Sequence, residues 1–127
     1  MRGLLEASES QIEVAVCHLL RVSGFFFWKQ ANRGYFSGKS EVDSRGRRVM
    51  VGNFRRDHNP YVLKGVPDLI LVHQGRIIGF EIKSKKGIQS KEQKEFAENL
   101  IRAGGLYYLI RSIEDAQIAI REILNGK

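Results

Sequence analysis

Apolar residues recur at the spacing of an amphipathic helix in three stretches of the chain. The stretches cover residues 8–22, 90–103 and 112–124, and each begins at or beside a serine that can cap a first helical turn. In the first stretch either Ser8 or Ser10 can take that position. The pattern therefore predicts three helices that each bury one face.

Residues typical of β-strands fill much of the remaining chain. Two runs in the centre, 68–73 and 76–83, are separated only by Gln74-Gly75. A two-residue loop with glycine in second place is typical of a tight β-hairpin. Outside this hairpin, the predicted strands are 25–29, 49–54 and 106–110.

Residues 30–48 interrupt this pattern, because they are polar, contain glycine and have no periodicity. We expect them to form a loop. The predicted order is then helix, β-rich middle, two paired strands, helix, strand and helix. That order is typical of an α/β fold in which helices flank a mixed central β-sheet, built as a single domain over residues 1–127.

The Gln74-Gly75 turn also predicts which side chains of the hairpin face each other. If these two residues form the loop, the strands pair in register away from it and Asp68 lies opposite Glu81. Two opposed carboxylates repel each other, and Mg²⁺ or Mn²⁺, which prefer oxygen ligands, would compensate. Lys83 lies on the same face as Glu81 and can stabilise charge developing on a phosphate. These three residues predict a centre for metal-assisted phosphodiester hydrolysis.

The alternative is that all three side chains are ordinary solvated surface groups. Glu81 argues against it, because this residue interrupts the apolar run IIGFEI, where a lone charge is costly.

The charge of the chain indicates a polyanionic partner. The 127 residues carry a formal net charge of +7 and have a pI near 9.8, which suits nucleic acid or an anionic membrane surface. Residues 29–64 contribute nine Lys or Arg against three Asp or Glu. We interpret this segment as a surface that tracks phosphates, although an ordinary solvated loop has the same composition. The candidate nucleic-acid-binding residues, with two lysines beyond the hairpin, are Arg45, Arg47, Arg48, Arg55, Arg56, Lys64, Lys85 and Lys86.

Other features of the sequence limit which kinds of site and partner are expected. The single cysteine, Cys17, allows no internal disulfide and no Cys-based zinc site, which favours a reducing cytoplasm. No apolar run is long enough for a signal peptide or a membrane span, so we expect a soluble, intracellular protein. No glycine-rich phosphate loop is present, so we expect no nucleotide cofactor.

Trp28, Tyr35 and Phe36 can stack on unpaired bases, although for Trp28 we expect packing in the core.

The ordered motifs of the chain resemble those of a nuclease family. Gly65-Val66-Pro67-Asp68, twelve intervening residues and then Glu81-Ile82-Lys83 resemble the PD-(D/E)XK nuclease motif. The WKQAN stretch in which the aromatic strand ends, the SKEQ that leads into a helix and the AGG at its end are similar to the VRR-NUC (virus-type replication-repair nuclease) domain of the small stand-alone type. This resemblance implies a restriction-endonuclease-like fold over almost the whole chain. The loop at 32–48 has no counterpart in it.

The resemblance also assigns roles to residues of the central motif. Asp68, Glu81 and the backbone carbonyl of Ile82 would bind the metal, and Lys83 would be the catalytic lysine.

Two further residues receive roles from the same resemblance, each with an alternative. Gln93 matches a glutamine expected near the active site, but it also fits a capping box with Ser90, and the two roles would compete for one side chain. Glu9 matches an early helical glutamate that holds the metal directly or through water. Glu13, one helical turn later, is its rival.

The resemblance implies a Mg²⁺- or Mn²⁺-dependent endonuclease that hydrolyses phosphodiester bonds in branched DNA. Four-way (Holliday) junctions of repair or recombination are the expected substrates, and a homodimer would suit their two symmetric strands. Two alternatives remain at this point: a non-catalytic, structure-specific DNA-binding module, and an RNA-processing nuclease of the same fold.

Overall fold

Three helices and six strands form the part of the chain that the computed structural model describes, residues 6–31, 35–55 and 59–126. The helices are α1 (Glu9–Val22), α2 (Lys91–Arg102) and α3 (Ile113–Leu124). The strands are β1 (Phe26–Lys29), β2 (Tyr35–Val42), β3 (Arg48–Arg55), β4 (Leu69–His73), β5 (Arg76–Ile82) and β6 (Leu106–Ile110). In these ranges, no helix combines the length and the apolar character that crossing a membrane requires.

All three predicted helices are present, and a serine caps each of them. The hydroxyls of Ser8, Ser90 and Ser112 each accept a hydrogen bond from the backbone N–H three residues later. Such a cap satisfies one of the donors that the first helical turn leaves unpaired. The helix starts predicted from the sequence are therefore confirmed, with Ser8 rather than Ser10 capping α1.

The central sheet has four strands in the order β1-β4-β5-β6. β1 and β4 pair antiparallel, as do β4 and β5, whereas β6 runs parallel to β5, so the sheet is mixed as predicted. Gln74 and Gly75 have φ angles of 50° and 77°, the positive values that a tight two-residue hairpin turn requires. This turn sets His73 opposite Arg76, and the pairing continues in the predicted register to Leu69.

Helices cover both faces of this sheet. On one face, alternate residues of β4 and β5, such as Leu71, Ile78 and Phe80, belong to the buried core together with residues of α1 and α3. On the other face lies Gly79, where a Cβ atom would meet Pro67 and Leu100 of α2. The structure is thus a mixed α/β arrangement with a helical layer on either side of the sheet.

Strand β1 has two unlike faces, because side chains alternate along a strand. Phe25 and Phe27 pack against the core, whereas Phe26 and Trp28 are 69% and 42% exposed. The expected core packing of Trp28 is therefore wrong. Its Cα partner on β4 is Ile70, and that register turns the indole away from the face that α1 and α3 cover.

Residues 32–63 form a second compact unit, separate from the unit made of residues 1–31 and 64–127. Its described part contains an antiparallel hairpin of β2 and β3. The loop predicted for residues 30–48 is therefore wrong over 35–42, whereas the strand predicted at 49–54 is confirmed. Backbone hydrogen bonds between strands need no apolar side chains, so a polar hairpin leaves little periodicity in the sequence.

Asp43 closes the turn of this second hairpin. Its carboxylate Oδ1 accepts hydrogen bonds from the amides of Arg45 and Arg47 at 2.9 and 2.8 Å. Oδ2 forms an ion pair with Nε of Arg47 at 3.1 Å. The turn is thus built by one acidic side chain and two of the predicted basic residues.

Candidate active site

Asp68 and Glu81 lie side by side at the end of the β4–β5 hairpin. Glu81 is on β5 and only 2% exposed, and Asp68 directly precedes β4. The backbone pairing of β4 and β5 ends at Leu69, one residue before Asp68 is reached. The Asp68 side chain continues the contact between the two strands, because its Oδ2 accepts a hydrogen bond from the Ile82 amide at 2.8 Å. The Asp68 carboxyl lies close enough to Glu81 to raise the pKa of the Glu81 carboxyl. The structure thus brings together the two carboxyl groups that the register predicted.

The carboxyl group of Glu81 is strongly perturbed by this environment. Burial raises its pKa to about 8, and the neighbouring carboxyl group of Asp68 acts in the same direction. Lys83 lowers the pKa of Glu81, and the charge of Glu9 raises it. Glu81 Oε2 is buried and has no hydrogen-bond partner among the described residues. Because a buried acceptor without a partner is costly, this pair offers a place for one positive charge, a proton or a cation.

Gln93 contacts Glu81 and caps α2 with the same side chain. Its Nε2 donates to Glu81 Oε1 at 3.1 Å, while its Oε1 accepts from the Ser90 amide at 2.8 Å. The expected competition between the two roles is therefore wrong, because a side-chain amide has a donor end and an acceptor end. The helix cap holds the amide in the orientation that serves Glu81.

Glu9, and not Glu13, lies beside the segment that follows β5. Glu9 Oε1 accepts a weak hydrogen bond from the Ser84 amide at 3.4 Å, and its charge acts on Glu81. Glu13 is instead bound to Lys29, with an Oε1···Nζ distance of 2.6 Å. Among the described residues, however, no three His, Cys, Asp or Glu side chains are grouped closely enough to hold a metal ion.

Lys83 follows β5 directly and is half-buried. Its backbone amide donates to the carbonyl of Ile110 at 3.0 Å, which extends the contact between β5 and β6. The ammonium group acts on Glu81 electrostatically and forms no ion pair with another described residue. Lys83 thus places a positive charge near the carboxyl pair.

Arg111 positions the loop after Lys83, a role that the sequence analysis did not predict. Its Nη1 donates to the carbonyls of Ser84 and Gly87, both at 2.7 Å, and more weakly to that of Lys85 at 3.3 Å. Three carbonyls around one guanidinium fix the loop that carries Glu9's partner Ser84. No motif marks this arginine, because it follows β6 and meets the loop only when β6 lies beside β5.

Tyr107 is a second residue that the sequence analysis missed. It lies on β6 opposite Gly79, and its hydroxyl accepts a hydrogen bond from Gln89 Nε2 at 2.9 Å. Burial raises the pKa of the Tyr107 hydroxyl, and the charges of Glu81 and Asp68 raise it further. The hydroxyl therefore stays neutral next to the carboxyl pair.

The glycine and proline of the GVPD motif hold Asp68 in place through backbone packing. Gly65 has a φ of 79°, and a Cβ atom there would overlap the backbone carbonyl of Glu92. Pro67 packs over Gly79, where a Cβ atom would lie 2.6 Å from Pro67 Cγ. The motif is thus pressed between the start of α2 and β5.

The predicted basic residues are divided between the two compact units. Arg45, Arg47 and Arg48 are exposed at the turn of the β2–β3 hairpin, whereas Lys64, Lys85 and Lys86 are exposed in the other unit. Arg55 ends β3, but its side chain is not described, and Arg56 lies outside the described residues.

No protein-family model matches this chain, and no match is found among curated proteins. The candidate site is therefore defined by the contacts of the chain itself. It consists of the Asp68–Glu81 carboxyl pair, held by Gln93, with Lys83 and Glu9 beside it.

Proposed function

We propose that the protein is a Mg²⁺- or Mn²⁺-dependent nuclease that hydrolyses phosphodiester bonds in branched DNA, with a restriction-endonuclease-like fold. The observation that carries this proposal is the Asp68–Glu81 pair, in which Glu81 is buried and its Oε2 has no hydrogen-bond partner among the described residues. Two adjacent carboxyl groups with a half-buried lysine close by are the groups that metal-assisted phosphate chemistry uses.

The residues of the pair fit a small hard cation. Asp68 and Glu81 offer adjacent carboxylate oxygens, one of them buried without a partner, and the carbonyl of Ile82 follows directly on β5. Mg²⁺ commonly binds through one or two carboxylates and keeps water or substrate phosphate in its other positions. Two carboxylates therefore suffice, and Glu9 would act through water.

The chain's own groups would then bind and orient the substrate. A bound Mg²⁺ or Mn²⁺ supplies Lewis acidity toward the phosphodiester. Lys83 places a positive charge where negative charge develops on the phosphate. Gln93 holds the Glu81 carboxyl in one orientation through Oε1, which leaves Oε2 without a hydrogen-bond partner among the described residues.

The charge of the chain supports nucleic acid as the substrate, because a formal net charge of +7 attracts a polyanion. Branched DNA, and four-way junctions in particular, is the substrate we infer from the motifs, with a homodimer that presents two sites to two symmetric strands.

The test is cleavage of a panel of four-way junction, flap, single-stranded and duplex DNA, and of duplex RNA, with Mg²⁺, Mn²⁺ or chelator. We expect metal-dependent cleavage that is fastest on branched DNA. Glu81→Gln and Lys83→Ala should each lower the rate roughly 100-fold or more. The matched controls Glu98→Gln and Lys94→Ala, both exposed on α2, should stay within about twofold of the wild type.

Cleavage that persists in chelator, or in both site variants, would overturn the proposed mechanism. Tight junction binding without cleavage in any metal would instead support the non-catalytic DNA-binding module, and preferential cleavage of RNA would support the RNA-processing nuclease.

A further inference from the structure

Two aromatic side chains project together from strand β1, at the edge of the central sheet. Phe26 and Trp28 are 69% and 42% exposed, although large aromatic side chains gain most from burial. Their neighbours Phe25 and Phe27 are packed against the core, so β1 is already anchored without them. The two exposed rings are therefore free to bind something outside the fold.

The two rings are held in a defined arrangement. Their centroids are 5.8 Å apart and their planes are inclined by 53°. The indole Nε1 of Trp28 donates to Gln30 Oε1 at 3.2 Å, which satisfies the one polar atom of the ring. Both rings keep exposed surface for contact with another flat, apolar group.

The same strand leads directly to the carboxyl pair. Trp28 pairs with Ile70 on β4, and Ile70 pairs with Gly79 on β5, so these positions share the sheet face of Asp68 and Glu81. At the end of β1, the Gln30 amide donates to the Asp68 carbonyl at 2.8 Å. Asp68 lies one strand across from Trp28 and two residues along. The Cα atoms of the two residues are therefore separated by roughly 8 Å. This distance is about the rise of two stacked nucleotides.

We propose that Phe26 and Trp28 form a stacking platform for an unpaired base of the nucleic acid strand whose phosphate lies at Asp68 and Glu81. This inference rests on the proposed nuclease function and deepens it, since it names a strand with unpaired bases as the substrate at the site. The faces of duplex bases are covered by their neighbours, so only an unpaired base can lie flat on the indole.

A nucleic acid strand fits this surface better than a second copy of the chain. The occupant must offer flat apolar rings and suit a chain of net charge +7, and a single strand combines both properties.

Trp28 is the single tryptophan of the chain, so its fluorescence reports the platform directly. Oligothymidylate and oligouridylate of about 15 nucleotides, and a blunt DNA duplex of matched length, are titrated in chelator, where no cleavage is expected. We expect both single strands to quench the emission and the duplex to leave it largely unchanged. The single strand that quenches the emission at the lower concentration identifies DNA or RNA as the preferred source of the base.

Variants separate stacking from other effects, with binding measured by anisotropy of a labelled oligothymidylate. Trp28→Ala should weaken single-strand binding about tenfold and Phe26→Ala somewhat less, whereas Trp28→Phe should retain most of the affinity. Val22→Ala, 85% exposed on α1, is the matched apolar control and should change the affinity less than about twofold.

Equal quenching by duplex and single strand, or no quenching by either, would overturn the platform. So would a loss of dimer mass in Trp28→Ala with unchanged oligonucleotide affinity, because the rings would then be a contact between copies. Failure of the nuclease proposal gives a different result: quenching persists in the wild type and in Glu81→Gln, but no substrate is cleaved in any metal.

Discussion

Replacing Glu81 with glutamine should remove much of the change in stability between about pH 5 and pH 8. Burial and the neighbouring Asp68 raise the pKa of the Glu81 carboxyl from its ordinary value of 4.5 to about 8. Between these two values the folded protein keeps a proton that the unfolded chain has lost. The contribution to the free energy of unfolding is therefore complete below the unfolded pKa and is lost as the pH rises through about 8.

The size of the loss in the free energy of unfolding follows from the same shift in the pKa of Glu81. Each pH unit over which only the folded carboxyl holds the proton changes the free energy of unfolding by up to about 1.4 kcal/mol. That sets a ceiling of about 4 kcal/mol between about pH 5 and pH 8. Asp68 and Lys83 are only half-buried, so water reaching them screens the site, and we expect a loss of about 1–3 kcal/mol.

The assay is urea unfolding of the wild type and Glu81→Gln at several pH values in chelator. Glutamine can accept from Gln93 and donate to Asp68 as the protonated acid does, but it does not titrate. The difference between the two proteins therefore isolates Glu81 from other titrating groups. Identical pH profiles for the two proteins would refute the reasoning.

Magnesium provides a second arm of the same experiment. At about pH 8.5, Mg²⁺ at roughly ten times its dissociation constant should stabilise the wild type by about 1.4 kcal/mol. Glu81→Gln should gain much less, because one carboxylate is gone. Equal stabilisation of both proteins would place the cation elsewhere.

Three further variants test the packing around the site. Gly65→Ala should cost about 2–5 kcal/mol, because it combines a positive φ with a clash against the backbone of α2; a change below about 1 kcal/mol in urea unfolding would contradict this contact. Gly79→Ala should cost about 1–3 kcal/mol through its contact with Pro67, and an unchanged unfolding midpoint would show that the ring can move aside. Arg111→Met should speed amide hydrogen exchange and tryptic cleavage in loop 84–87, while equal protection in both proteins would rule out the guanidinium as the loop's anchor.

Part of the site could be predicted because it depends on short segments. The Gln74-Gly75 turn fixes the register of its own hairpin, and that register brings Asp68 to Glu81. The double role of Gln93 could not be predicted, because it requires α2 to begin above β5. The sequence shows the cap, but not what lies beside it.

Two of the predictions that failed concern segments in which local pattern and tertiary packing disagree. Trp28 is a large aromatic residue of a type that is expected in the core, but the register of β1 against β4 leaves its side chain exposed. Residues 35–42 have the composition of a loop, but pairing with β3 makes them a strand. In both cases the neighbouring strand decides the outcome, and no short segment contains that information.

The sequence by itself determined the three capped helices, the tight hairpin and the alternation that places Glu81 and Lys83 on one face. Caps, turns and alternation act over a few residues, so they can be recognised without the fold. Only the tertiary structure decided the raised pKa of Glu81, the loop held by Arg111 and the exposed ring of Trp28. These depend on burial and on contacts between distant segments, which exist only once β1, β4, β5 and β6 lie side by side.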